Sequence, residues 1–280
     1  MQFTDMLGRA ERANNSLLCV GLDPEPSKFP GGWRDDSTRI FDFCARIVDA
    51  THDLVIAFKP QIAYFAAQRA ESQLERLIEH IRRTAPGVPV ILDAKRGDIG
   101  STAEQYAREA FERYGADAVT LSPLLGFDSI EPYLRDPGHG VFLLCRTSNA
   151  GGADLLAQRL ASGEMLYERI ARLAADEWNR NGQLGLVVGA TYPDEIARVR
   201  AIAPTLPLLI PGIGAQGGNA AAAVRAGWRT DAPIAVNSSR AVLYACSDSG
   251  DFAAAARRVT LASRDMLNAA RSHAGRSSES

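Results

Sequence analysis

The feature that most constrains this chain is an alternation. Short β-branched or leucine-rich runs are followed, each in turn, by amphipathic stretches from one end of the sequence to the other. There are eight such runs: Leu17–Asp23 (LLCVGLD), Leu54–Pro60 (LVIAFKP), Pro89–Lys95 (PVILDAK), Ala118–Pro123 (AVTLSP), Val141–Thr147 (VFLLCRT), Leu186–Ala190 (LVVGA), Leu206–Ile213 (LPLLIPGI) and Ile234–Ser239 (IAVNSS). They are apolar almost throughout, as strands covered on both faces must be, and this points to a parallel sheet. Helical spacing is clear between them: in Ser101–Tyr114, for example, Ala103, Tyr106, Ala107, Ala110 and Phe111 recur on one face. Further helices are expected at about 37–53, 66–84, 164–181, 193–202, 217–226 and 251–270, with a short one at 128–134. Eight strand–helix units predict an α/β fold of the (β/α)8 TIM-barrel type, a single domain over residues 1–270. An open doubly wound sheet is the alternative. It would carry GxGxxG after its first strand, where this chain reads GLDPEPS. Residues 271–280 are polar and without periodicity, and are expected to form a disordered tail.

Charge and composition narrow the partners. The formal net charge is −2 with both signs interspersed, which argues against a nucleic-acid footprint or a polybasic membrane surface and leaves a small molecule as the expected partner. No eighteen-residue apolar run is present, and the first residues, with Asp5, Arg9 and Glu11, lack a signal-peptide core, so a cytoplasmic protein is expected. Cys19, Cys44, Cys145 and Cys246 form no CxxC pair and read as free thiols. His52, His80, His139 and His273 lack metal-ligand spacing. With no flavin or nicotinamide fingerprint either, no cofactor and no metal are expected.

In a barrel of this kind the chemistry gathers where strands end. The first run ends on Asp23, the second on Lys59, the third on Asp93 and Lys95 with Asp98 just beyond, and the fifth leads to Ser148. Period-two alternation points Asp93 and Lys95 the same way, toward the barrel mouth, with Lys59 one strand over. Ammonium and carboxylate groups so enclosed must be paired, functional, or both; taken alone, DxKxxD is also compatible with a structural ion-pair network. The seventh run leads into Gly212–Gly218 (GIGAQGG), whose backbone amides can approach an anion closely. After the eighth, Ser238, Ser239 and Arg240 precede a short helix whose N-terminus and guanidinium could hold a phosphate. A simple glycine turn remains the alternative for the loop. A phosphate clamp beside a Lys/Asp array suits carbanion chemistry on a phosphorylated small molecule, with side chains supplying the electrostatic stabilisation.

Beyond these inferences, VILDAKRGDIGST at Val90–Thr102 resembles the signature of the orotidine 5'-phosphate decarboxylase family. GLDP at Gly21, AFKPQ at Ala57, TLSPLLG at Thr120, RTSNAGG at Arg146, PGIGAQGG at Pro211 and NSSRAVLY at Asn237 extend the resemblance over nearly the whole chain, and length with AFKPQ and TSNAGG is similar to the longer bacterial (type 2) subfamily. The resemblance implies cofactor-independent decarboxylation of orotidine 5'-monophosphate to uridine 5'-monophosphate, the last step of pyrimidine nucleotide synthesis. It implies Lys95 as proton donor, Asp93 against the substrate carboxylate, and Lys59 and Asp98 completing the charged array. It further implies that Asp98 and Thr102 reach into the neighbouring subunit's site in a homodimer. Asp23 would contact the ribose, Ser148 the pyrimidine, and Gln216 with Gly217, Gly218, Ser239 and Arg240 the phosphate. Two rivals remain: Mg-dependent phosphosugar decarboxylases and aldolases of the same superfamily, which carry an acidic metal ligand where this chain has Lys59, and a non-catalytic phosphate-binding barrel, which would have lost part of the array.

Overall fold

The computed structural model describes residues 1–213, 219–246 and 251–277. Each of the eight apolar runs overlaps a strand: β1 (Leu18–Leu22), β2 (Ala57–Pro60), β3 (Ile91–Arg96), β4 (Ala118–Leu121), β5 (Gly140–Arg146), β6 (Leu184–Val188), β7 (Leu208–Ile210) and β8 (Ile234–Ser238). All pairings are parallel, in the order β2-β1-β8-β7-β6-β5-β4-β3. Bridges Phe58–Val90 and Gln61–Asp93 join the two ends of that order and close the cylinder. The fold is therefore the expected (β/α)8 barrel. β7 is the strand most shortened relative to its apolar run, because Pro207 and Pro211, which lack an N–H to give to a ladder, bracket it.

The helices are α1 (Phe3–Asn14), α2 (Ile40–Thr51), α3 (Ile62–Ala66), α4 (Glu71–Thr84), α5 (Gly100–Arg108), α6 (Leu166–Arg172), α7 (Pro193–Ile202), α8 (Ala220–Gly227), α9 (Arg240–Leu243) and α10 (Phe252–Ser277). The helix expected at 66–84 starts later, as α4 at Glu71; the short α3 ends at Ala66, and between the two Arg69 takes a φ of 52° in the left-handed region. The helices expected at 101–114 and 164–181 widen into π turns at Glu109–Arg113 and Leu173–Trp178. The 128–134 stretch is a pair of 3-10 turns.

Two layers of apolar packing hold the barrel. Outside, the helices bury their faces against the strands in one continuous cluster. Inside, Cys19, Ala57, Ile91, Ala118, Phe142, Val187, Leu209 and Ala235 fill the cylinder, and α1, which strand–helix counting did not anticipate, seals it with Phe3, Leu7 and Ala10. Phe3 meets Phe142 edge to face at 5.8 Å. This plug leaves only one end of the barrel open for chemistry.

Of the expected tail at 271–280, residues 271–277 are helical, and 278–280 lie outside the described residues. α10 continues without a break through Ser277, and its last turns are tied to α1: Asn268 Nδ2 donates to the Asn15 carbonyl at 2.7 Å and Arg271 Nη1 to Glu11 Oε1 at 3.3 Å. Long-range anchors of this kind extend a helix beyond the stretch where its own apolar periodicity is visible. Among the described residues no helix is long and apolar enough to cross a membrane.

Candidate active site

The carboxyl ends of the strands open on a cavity of about 420 Å³, lined by Asp23, Lys59, Asp93, Lys95, Ser148, Ser239 and Arg240 among others. Two members of the charged array, Lys59 and Asp93, are buried in its wall. Lys59 is 4% and Asp93 7% exposed, and their ammonium and carboxylate meet at 2.7 Å. Lys95 Nζ reaches the other oxygen of Asp93 at 2.6 Å, and the Thr120 hydroxyl donates to that same oxygen at 3.0 Å. Burial disfavours charge on Asp93, but Lys59 and Lys95 outweigh it and hold the carboxyl well below the usual carboxylate range. Burial likewise opposes the Lys59 ammonium, and Asp93 and then Asp23 reverse that, holding its pKa above the ordinary lysine value. Asp93 loses its charge-dependent stabilisation only as pH falls through its lowered pKa, and Lys59 only as pH rises through its raised one. The Lys59–Asp93 pair is thus charged across the whole neutral range.

Asp93 and Lys95 do come together, though not by regular strand alternation. Lys95 has a φ of 48°, and the β3–β4 register shifts between Leu92 and Arg96. The third strand therefore bulges where its two charged residues stand, and Lys95 turns back on Asp93 from an exposed position while Asp93 stays buried.

On the β7–β8 side, Pro211, Gly212 and Ile213 line the cavity together with Asn237, Ser238, Ser239, Arg240 and Ala241. Gly212 takes a φ of 98°, which an L side chain rarely adopts, so the turn at the cavity wall requires glycine. Across from β8, a Cβ on Gly21 would come within 1.9 Å of Ser239 Oγ; glycine here lets the β8 end sit against β1. Gln216, Gly217 and Gly218 lie outside the described residues. Asp98 and Thr102 do not line the cavity: Asp98 caps its own loop, accepting from the Ile99 N–H at 2.8 Å, and Thr102 is exposed in the first turn of α5.

Several residues that sequence reasoning passed over belong to this region. Asn237, 8% exposed, donates to Ser239 Oγ at 3.2 Å, and its Oδ1, like Asp23 Oδ1, is a buried acceptor with no hydrogen-bond partner among the described residues. Tyr244, just past α9, holds the Asp23 loop by donating to the Asp23 carbonyl at 2.8 Å and accepting from the Glu25 N–H at 2.7 Å. Arg146, 2% exposed, secures the loop carrying Ser148. Its Nε lies 2.6 Å from Glu195 Oε2, its Nη1 donates to the Thr147 carbonyl at 2.9 Å, and its guanidinium lies over Tyr192 at 4.3 Å. The available signal was polarity inside apolar runs: Thr120, Arg146 and Asn237 each interrupt one.

The chain is similar to known proteins over nearly its whole length. The family model described as "Orotidine 5'-phosphate decarboxylase / HUMPS family" matches residues 16–259. An orotidine 5'-phosphate decarboxylase of Polaromonas naphthalenivorans is 74% identical over 274 residues, covering 97% of each chain. Among solved structures, the OMP decarboxylase of Leishmania donovani superposes with a TM-score of 0.82 at 40% identity, covering 97% of this chain and 99% of that one. The UMP synthase of the same organism does so with a TM-score of 0.83 at 42% identity, over 96% of this chain and 57% of that longer one. A match of this extent, on a barrel whose open end carries the paired Lys–Asp–Lys array, makes the chain a member of the orotidine 5'-phosphate decarboxylase / HUMPS family.

Proposed function

We propose that this chain decarboxylates orotidine 5'-monophosphate to uridine 5'-monophosphate, with no metal or organic cofactor, in a single barrel domain over residues 1–270. The observation that carries the reading is the Lys59–Asp93–Lys95 array, its Lys59–Asp93 pair buried and Lys95 exposed, in a cavity also lined by Arg240. The relatives' names supply the substrate. When the ring carbon–carboxylate bond breaks, carbon dioxide leaves and the electron pair stays on the ring carbon, in an in-plane orbital the ring cannot delocalise. A cation fixed beside that carbon lowers the barrier. Lys95 is that cation and then the acid: an Nζ proton passes to the carbon, and the neutral amine is reprotonated from solvent. Asp93, held ionised, faces the departing carboxylate, and Lys59 keeps it charged and in place. Asp23 receives the ribose hydroxyls, Ser148 the pyrimidine, and Arg240 the phosphate with Ser239, Gln216, Gly217 and Gly218. Phosphate binding, remote from the reacting bond, can be expressed in the transition state through loop closure.

A spectrophotometric assay with orotidine monophosphate tests the reading, with and without exhaustive EDTA treatment. Turnover is expected in both arms, because the ammonium of Lys59 stands where a metal scheme needs an anion. No turnover, or turnover lost to EDTA and restored by Mg2+, overturns it. Arg240→Ala should lower kcat/KM by roughly 10²-fold or more through loss of charge-assisted contacts to the phosphate. Thermal stability should hardly change, since Arg240 is exposed. Unchanged kinetics on the phosphorylated substrate would move the phosphate site elsewhere.

The functional unit we propose is a cytoplasmic homodimer. Asp98 and Thr102 do not line this chain's own cavity, and beside them the loops after β3 and β4 expose Ile99 (55%), Leu124 (56%) and Leu125 (51%). Apolar side chains grouped in this way favour association, and a second copy would carry Asp98 and Thr102 to the partner's site. The buried free thiols Cys19, Cys44 and Cys145 suit a reducing compartment.

A further inference from the structure

Thr120 stands on β4, 1% exposed, one strand from the bulge that carries the charged array. Its Oγ1 accepts from two consecutive backbone N–H groups, Ala94 at 3.0 Å and Lys95 at 2.9 Å, and lies 3.0 Å from Asp93 Oδ1. A hydroxyl has one proton and two lone pairs. Since an amide N–H can only donate, both lone pairs are taken and the proton must go to Asp93. Three consecutive residues of β3 are therefore fixed by a single side-chain atom on the neighbouring strand.

What that atom holds is a backbone that regular pairing would not produce. The β3–β4 ladder is broken between Leu92 and Arg96, and Lys95 sits at a φ of 48°, a conformation that costs an L-residue and persists only where its surroundings impose it. At such a bulge the amides of the extra residue lose their ladder carbonyls. Here Thr120 Oγ1 takes the place of those carbonyls. The left-handed turn brings Lys95 Nζ to 2.6 Å from Asp93 Oδ1, while Lys59 holds Oδ2 at 2.7 Å, so the same hydroxyl sets both the reach of the ammonium and the plane of the carboxylate.

We propose that Thr120 is a positioning residue for the decarboxylation, its hydroxyl holding the β3 bulge so that Lys95 and Asp93 meet the substrate in register. The inference rests on the decarboxylase reading above. A bare apolar side chain would fill the same β4 position, so the distinction lies in the hydroxyl alone.

The test compares Thr120→Val, Thr120→Ala and Thr120→Ser with the wild type. Wild-type turnover of orotidine monophosphate is the control: its absence counts against the decarboxylase reading, and everything below presupposes its presence. Titration with uridine monophosphate counts the folded sites, and kcat is expressed per site. In D2O, exchange of the uridine monophosphate ring hydrogen at the reacting carbon reports the Lys95 proton transfer run in reverse. Thr120→Val is expected to bind uridine monophosphate at one per chain with affinity within about threefold of wild type, because the phosphate clamp lies on other strands. Its kcat per site and its exchange rate should fall together by about 10²-fold, the usual cost of a small misplacement at a reacting centre. Thr120→Ser should recover both to within roughly tenfold, the remainder reflecting the freer χ1 of serine. If Thr120→Val does not bind the nucleotide, Thr120→Ala, which removes the hydroxyl without adding a methyl against Asp93, decides by the same measures. Near-normal kcat and exchange in either hydroxyl-free variant, a Thr120→Ser as slow as they are, or loss of nucleotide binding in both, each overturns the proposal.

Discussion

Lys95→Ala is expected to abolish turnover of orotidine monophosphate, with kcat falling by at least about 10⁴-fold, while the protein still folds and binds uridine monophosphate. The size follows from the two tasks proposed for the side chain. Placement of a fixed cation at a developing anion is worth about 10²–10³-fold, and general-acid transfer about 10²–10⁴-fold; one substitution removes both. The fold should survive because Asp93 is not left alone. Lys59 Nζ remains 2.7 Å from its Oδ2 and the Thr120 hydroxyl remains on Oδ1, so no uncompensated buried charge is created. Lys95 itself has a side chain 46% exposed, and an ion pair that open to solvent contributes little to stability. Single-turnover kinetics with a parallel titration of uridine monophosphate checks both halves. Near-normal turnover in the variant would remove Lys95 from the role of acid, and loss of nucleotide binding would show that it serves the fold instead.

Much of this architecture was legible in the chain because a closed parallel barrel requires continuous apolar strands, and eight of them leave few alternatives. Strand ends were less legible: the run at Leu206–Ile213 yields only Leu208–Ile210, where prolines at 207 and 211 limit the ladder. α1 was missed because it belongs to no strand–helix unit, and residues past Ala270 read as a tail because their helicity comes from contacts with α1, such as Arg271 with Glu11, that lie far away in sequence. In the site, charge at strand ends identified Lys59, Asp93 and Lys95, yet the spacing of two that suggested a regular strand corresponds to a bulge with Lys95 at positive φ. Nothing local distinguishes these two cases. The deciding atom is Thr120 Oγ1, twenty-five residues away from Lys95 and on another strand. Tyr244 and Arg146 were overlooked for a related reason: each acts through a partner, Asp23 or Glu195, that only the closed barrel brings near.

The proposed sharing of sites between two chains makes the sharpest expectation. Lys95→Ala and Asp98→Ala should each be nearly inactive as homodimers, yet the two inactive proteins, unfolded and refolded together, should regain activity. Asp98 lies in the loop after β3, three residues past Lys95, and the cavity lined by Lys95 does not include it. Next to it Ile99 is 55% exposed, an apolar side chain that a second copy would cover. In an isologous dimer each site then combines Lys95 of one chain with Asp98 of the other. A mixed dimer places both lesions in one site and leaves the other intact. Random pairing makes half the dimers mixed, each with one working site of two, so recovery should approach roughly a quarter of the wild-type rate. The measurement is specific activity against the mixing ratio, which should peak at equal amounts of the two variants. If both residues served the site of their own chain, every site would carry a lesion and mixing would recover nothing at any ratio. That outcome would end the shared-site proposal while leaving the assignment of Lys95 untouched.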